Sequence, residues 1–220
     1  MRRATTTVHL STSIAALAAL TLGCGKPPPA PAAPPPAPAS IAPPPAPPAG
    51  PPIETEDHLV RVPRPSGNGW ECAAERVAQP DQGVTVSFVQ CRLETPAGKF
   101  SLMAKDYQVP PRAVMTAEEL STVEYPKHYR KRFDDVRYTR SGPIDHRGYP
   151  AYEVEIDMSR HGGPVTRVIE RVLVVGTHTM NLSATGPAGM FPALAADVRR
   201  WFDGADFGML RGDPLRQASL

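Results

Sequence analysis

The chain has no acidic residue before Glu54 and no aromatic residue before Trp70. Without either, the first part of the chain lacks the composition from which a packed domain is made. Its longest early apolar run, Ile14 to Leu22, is far short of the roughly 20 residues needed to cross a bilayer as a helix. There is no excess of either charge: 24 basic residues stand against 22 acidic ones, and setting aside Arg2 and Arg3 leaves 22 of each. A neutral balance gives no electrostatic reason to bind nucleic acid. The acid-bearing remainder, residues 54–210, has ordinary globular composition and is long enough for one core.

What the first residues do contain is an address. Met1-Arg2-Arg3 is a short basic start, Ile14 to Leu22 has the length of a signal-peptide core, and Gly23-Cys24 follows at once. Thr21-Leu22-Gly23-Cys24 resembles the bacterial lipobox, with Thr21 where that pattern prefers Leu. The resemblance implies that residues 1–23 are removed and that Cys24 is acylated and becomes the N-terminus. It also implies a membrane contact through the lipid on Cys24. Gly25 follows the cysteine; by analogy with enterobacterial sorting, it points to the outer membrane, facing the periplasm.

Residues 27–52 comprise 15 Pro, 8 Ala, Ser40, Ile41 and Gly50. Proline removes a backbone donor and fixes φ, so polyproline II is the natural local state. Residues 24–53 therefore read as a lipidated cysteine and a disordered, semi-rigid spacer; its 26 residues 27–52 reach roughly 80 Å if extended, and residues 26–53 are expected to make no tertiary contacts.

From His58 onward, strand signals dominate. A first short strand ends at Pro63 and Pro65. Trp70 to Val77, Val84 to Leu93 and Phe100 to Tyr107 form a meander joined by Gln79-Pro80-Asp81-Gln82-Gly83 and Thr95-Pro96-Ala97-Gly98. Thr116-Ala117-Glu118-Glu119 is a capping box that starts a helix. Pro126 predicts a break near Tyr125 and a second short helix. Strands return at Val136–Ser141 and Tyr149–Ser159. In the latter, Tyr152, Val154, Ile156 and Met158 alternate with Glu153, Glu155 and Asp157, as in a half-buried strand. Val165–Val175 is apolar on both faces and reads as central. His178–Ala184 follows, then a helix over 188–202 with Phe191, Leu194, Val198, Trp201 and Phe202 on one face. Residues 203–220 read as a frayed tail, flexible from 211. The fold class is α+β, an antiparallel sheet covered by helices.

The register of the first hairpin fixes a covalent expectation. With Cys24 lipidated, two cysteines remain for an oxidising compartment. A turn flanked by Pro80 and Gly83 sets Cys72 opposite Cys91, Trp70 opposite Leu93, Ala74 opposite Val89 and Glu71 opposite Arg92. The next turn sets Phe100, Leu102 and Ala104 beside Leu93, Cys91 and Val89. One register thus makes a continuous apolar face, and a slip by one residue destroys it. A Cys72–Cys91 disulfide is expected.

Gly69-Trp70 after a proline-containing strand, Gly148-Tyr149-Pro150-Ala151-Tyr152 opening a long hairpin, and a last strand leading to a helix that ends in Trp201-Phe202 resemble the PsbP and Mog-type α/β sandwich. That group includes the photosystem PsbP protein, a Ran-binding protein and bacterial lipoproteins such as DcrB. The resemblance covers residues 57–207 and implies an accessory or binding protein without catalysis of its own. It carries over no functional residue.

Chemistry-bearing motifs are scarce. No Gly-x-Ser-x-Gly elbow or Ser-x-x-Lys pair occurs in the domain, and Gly98-Lys99 lacks the rest of a phosphate loop. His58, His128, His146, His161 and His178 show no helical zinc spacing and no neighbouring cysteine pair. No catalytic, cofactor-binding or metal residue is assigned, and no cofactor is expected. Lys127-His128-Tyr129-Arg130-Lys131-Arg132 is the densest basic cluster and reads as the solvated face of a short helix. The leading functional reading is a non-enzymatic, membrane-tethered domain that assists an envelope protein partner. A hydrolase or metal-dependent enzyme would need a cleft with convergent titratable groups. A small-molecule or lipid binder would need a pocket of about 300 Å³ or more between sheet and helix.

Overall fold

The structure, a computed structural model, describes residues 50–79 and 83–211. The expected export signal, Cys24, nearly all of the spacer, the turn residues Pro80-Asp81-Gln82 and the tail from 212 lie outside the described residues. Among the described residues, no helix is long and apolar enough to cross a membrane.

Period-two alternation produces most of the architecture. Two short strands, β1 (Ile53–Glu54) and β2 (Val60–Val62), precede β3 (Trp70–Gln79), β4 (Val84–Thr95) and β5 (Gly98–Gln108). A helical segment follows, with α1 at Ala117–Glu119 and α2 at Tyr125–Arg130. Then come β6 (Asp135–His146), β7 (Tyr149–Ser159), β8 (Thr166–Val175), β9 (His178–Pro187) and α3 (Phe191–Gly204). Seven strands form one sheet in the order β3-β4-β5-β9-β8-β7-β6, every neighbouring pair antiparallel. Two meanders are therefore fused through β5 and β9, which makes an α+β sandwich of the class expected.

The hairpin register is the expected one in every pair: Cys72–Cys91, Trp70–Leu93, Ala74–Val89 and Glu71–Arg92 face each other, as do Leu93–Phe100, Cys91–Leu102 and Val89–Ala104. Cys72 and Cys91 form the disulfide, their Cα atoms 4.0 Å apart. The shared face of these residues continues into β9 through Met180, Leu182 and Ala184, and α3 closes it with Phe191, Val198, Trp201 and Phe202. The expected helix face holds, with Leu194 at its half-buried margin.

A second, smaller core lies on the opposite side of the sheet. Val154, Ile156, Met158 and Val168 are buried there beneath Tyr129, Phe133 and Tyr138. The capping box is present: Glu119 N–H donates to Thr116 Oγ1 (3.1 Å), and Thr116 N–H donates to Glu119 Oε2 (3.0 Å). The helix does not break at Tyr125. Residues Leu120–Glu124 form a π turn, and Tyr125 N–H donates to Leu120 O before Pro126 enters near the start of α2. A proline lacks the amide for the regular bond and crowds the carbonyl four residues back; widening the coil by one residue relieves both without ending the helix.

Three further expectations need correction. Residues 203–211 are not frayed: β10 (Asp206–Phe207) and α4 (Gly208–Arg211) bury Phe207 and Leu210 in the main core. β10 joins β2, which also pairs with β1, so both ends of the domain meet in one three-stranded sheet. Secondly, the spacer is not free of contacts as far as residue 53: Ile53 pairs with Val62 and packs on the core, and Arg64 Nε donates to Pro51 O (3.2 Å). Thirdly, the acidic face of β7 does not open to solvent. β7 is interior to the sheet, so its acids are flanked by arginines from both neighbours, Arg167 and Arg171 on β8 and Arg137 and Arg140 on β6.

Candidate functional site

Each side of the sheet has an opening. On the α3 side, a groove of about 690 Å³ lies between α3 and the charged faces of β7 and β8, with Phe191, Val198 and Phe202 along one wall. Its inner charges satisfy one another. Arg171 holds Glu153 with two nitrogens (2.9 and 3.1 Å) and reaches Asp203 (3.1 Å); Arg167 holds Asp157 in the same way (2.7 and 3.0 Å) and Glu155 (3.0 Å). Arg167 meets both oxygens of Asp157, whereas both Arg171 nitrogens donate to Glu153 Oε2; pairs of this kind lock their partners and leave little capacity for a ligand. Behind them His146 is 1% exposed, with Nδ1 3.1 Å from Arg171. Burial, then the positive charges of Arg171 and Arg147, hold its ring down at about 4.

The other opening is a cleft of about 530 Å³ between the helical segment and the strands β5, β9 and β8. Its inner part contains Glu170, from the middle of β8, lying across from Val154 on β7 and Ser183 on β9. Glu170 is 7% exposed and its Oε2 has no hydrogen-bond partner among the described residues. Burial pushes its carboxyl up to about 7, against the opposing influence of Tyr129, Lys105 and Asn181. Tyr125 and Tyr129 are held protonated, chiefly by burial and then by the charge of Glu170. Asn181 Nδ2 donates to Tyr125 Oη at 3.4 Å, and Tyr138 Oη donates to Ser121 O at 3.2 Å, which fastens the π turn to β6. Lys105 lies over the Tyr107 ring at 5.7 Å. His128 and Arg132 stand at the exposed mouth.

An unpaired oxygen on a buried carboxylate is costly unless something donates to it. That oxygen, the cleft before it and the cations at its mouth make this the candidate site. Sequence reasoning did not find it. The available signal was Glu170 itself, an acid at an inward position of an interior strand, between Val168 and Val172. The basic cluster 127–132 is only partly a solvated face: Lys127 pairs with Glu124 (2.6 Å), but His128 and Arg132 line the cleft and Tyr129 covers Glu170.

The histidines are dispersed. His58 pairs with Glu54 (3.1 Å) and His161 with Asp134 (3.0 Å), both at the surface. His178 Nδ1 lies 2.9 Å from Asp106 Oδ1, deep beneath the N-terminal strands, and burial raises the Asp106 carboxyl above its ordinary range. Nearby, Asp57 accepts from Ser87, Thr55 and the Leu59 amide and pairs with Arg76, which fastens the 55–60 loop to the large sheet. No cluster of three or more metal-ligating side chains occurs among the described residues.

Two fused antiparallel meanders with helices on both faces make an α+β sandwich. The domain is similar to the solution structure of cyanobacterial PsbP, CyanoP, from Synechocystis sp. PCC 6803, with a TM-score of 0.50 and 12% identity over 71% of this chain and 91% of that one. It is also similar to LpqN, involved in cell envelope biogenesis of Mycobacterium tuberculosis (TM-score 0.45, 12% identity, 70% of this chain and 87% of that one). A third likeness is PA94 of Pseudomonas aeruginosa, a protein of unknown function (TM-score 0.40, 12% identity, 57% and 90%). At 12% identity the likeness to CyanoP bears on the fold alone. No protein-family model and no curated protein matches the chain.

Proposed function

We propose that this chain is a lipid-anchored envelope protein, acylated at Cys24, whose domain acts as a non-catalytic accessory by capturing a small molecule in the Glu170 cleft. The export pattern of residues 1–24 and the proline-rich spacer support the address. The observation that carries the binding role is the unpartnered Oε2 of Glu170 behind a cleft larger than the roughly 300 Å³ a ligand site needs. The tyrosines beside it are held protonated, so they serve as hydrogen-bonding walls and not as bases. An envelope protein partner, fed by or feeding the cleft, completes the accessory role.

Mass spectrometry of the mature N-terminus tests the address: an acylated cysteine at position 24 is expected, and an unmodified chain starting elsewhere overturns it. A fragment library screened by thermal shift on the full chain in mild detergent tests the cleft. Binders whose effect disappears in Leu120→Trp, which fills the cleft wall, are expected. A screen with no such binder overturns the reading.

A further inference from the structure

We infer that the cleft takes a short amphoteric ligand, an ammonium group bound at Glu170 and a phosphate group held at the mouth by Lys105, His128 and Arg132. The inference rests on the reading of the cleft as a binding site and names its ligand chemistry. It follows from the order of charges with depth. The one acid lies inside, buried, with an oxygen that needs a donor. Three cationic or cation-capable side chains line the same cleft and are less buried than that acid, Lys105 on β5 half-buried and His128 and Arg132 at the end of the helical segment exposed.

Simpler ligands leave part of this unsatisfied. A lone organic cation would meet Lys105 and Arg132 before reaching Glu170. A lone anion would be held at the mouth and leave Glu170 as it is. A neutral polyol would supply a donor but no partner for the cations. A ligand with an ammonium at one end and an anion at the other meets both sets. Phosphate suits the outer position because several donors from different directions can each take one of its oxygens, and Arg132 can bind two.

The strand order sets the span. Lys105 lies on β5 and Glu170 on β8, with β9 between them. Two strand spacings separate their backbones by roughly 10 Å. The two ends of the ligand therefore stand several ångströms apart, as the ends of an aminoalkyl phosphate do. Thr179, Asn181 and Ser183 of β9 form the polar floor between them. This chemistry occurs both in free aminoalkyl phosphates and in the ethanolamine headgroup of phospholipids.

Calorimetry on the full chain in non-ionic detergent tests the inference, with 2-aminoethyl phosphate as the probe and ethanolamine and inorganic phosphate as its separated halves. The probe should bind about 10-fold or more tightly than either half. Glu170→Gln should erase its advantage over phosphate, and Lys105→Met with Arg132→Gln its advantage over ethanolamine. The second variant changes residues at the mouth, so it stands as a test should Glu170→Gln fail to fold. Glycerophosphoethanolamine binding more tightly than the probe would identify the lipid headgroup as the source; weaker binding would identify the free phosphate monoester. A probe that binds no better than its halves overturns the inference. If cleft-dependent binders of other chemistry are found at the same time, the binding site stands and only the ligand class falls. If none is found, both fall.

Discussion

The two sides of the large sheet solve the same problem, burial of polar groups in an interior strand, in opposite ways. On the α3 side, Arg167 and Arg171 of β8 meet Glu153, Glu155 and Asp157 of β7, and the charges close on one another. On the other side, the same strand carries Glu170, whose Oε2 has no hydrogen-bond partner among the described residues. The difference lies in what covers each face. α3 supplies large apolar side chains to the main core, and the groove beside it is lined by charges that pair with one another. The 117–130 segment contains a π turn and Pro126, and it leaves a cleft. Both sides keep buried polar atoms without a partner among the described residues, His146 Nε2, Trp201 Nε1 and Asp106 Oδ2 on the α3 side and Ser121 Oγ and Glu170 Oε2 on the other; Glu170 is the one that lines the cleft.

Several perturbations should separate the two sides. The largest concerns the closed face. Trp201 is 1% exposed, and Trp201→Ala should cost about 3–5 kcal/mol in urea unfolding. A loss below about 1 kcal/mol would mean that α3 is not the principal lid. Removing the disulfide, as Cys72→Ala with Cys91→Ala, should cost about 3 kcal/mol, since it opens a 19-residue separation. Reduction of the parent chain should give a similar shift.

The sharpest contrast is in pH. His146, on the closed side, titrates at about 4 against an ordinary 6.5. The folded state binds fewer protons there, so this contribution is present above pH 6.5 and is lost as pH falls toward 4. Glu170, on the open side, titrates at about 7 against 4.5. The folded state binds more protons there, so this contribution is present below pH 4.5 and is lost as pH rises toward 7. In the shared window the slopes oppose, and the parent chain should show little net dependence from these two groups. Glu170→Gln should unmask a stability that rises with pH, and His146→Gln one that falls, each on the order of 3 kcal/mol across its window. Parallel profiles for both variants would contradict the comparison. The smallest effect concerns the open side's lid: Thr116→Ala removes the helix cap and should cost about 1 kcal/mol while loosening the cleft, seen as faster amide exchange over 117–130.

The strand register and the disulfide were legible because each rests on alternation and on one turn, both local. A two-residue period leaves a single register that puts Cys72, Cys91, Phe100 and Leu102 on one face. The capping box was legible for the same reason, since its residues lie three apart. The cleft was not. Glu170 becomes buried because β8 is flanked by β7 and β9 and roofed by Tyr129, and none of those neighbours can be placed by sequence distance. The acids of β7 likewise look solvent-facing until Arg167 and Arg171 are known to lie beside them. Phe207 and Leu210 sit in too short a segment to show a period, so their burial depends on β2, about 150 residues upstream.

The N-terminal strand has a mechanical meaning. Any pull on the domain transmitted through the chain before Gly50 is received by β1, which is held to β2 by only two residue pairs, Ile53–Val62 and Glu54–Arg61. The packing of Ile53 on the main core and the ion pairs of Glu54 with His58 and Arg211 add to that hold. The next thing loaded is Asp57, whose bonds to Ser87 and Arg76 tie the loop to β4 and β3 of the large sheet. Such a pull thus loads a two-residue strand before it reaches that latch, which lies on the opposite face of the large sheet from Glu170. The load falls first on β3 and β4, with β5 and β9 between them and β8, the strand that carries Glu170.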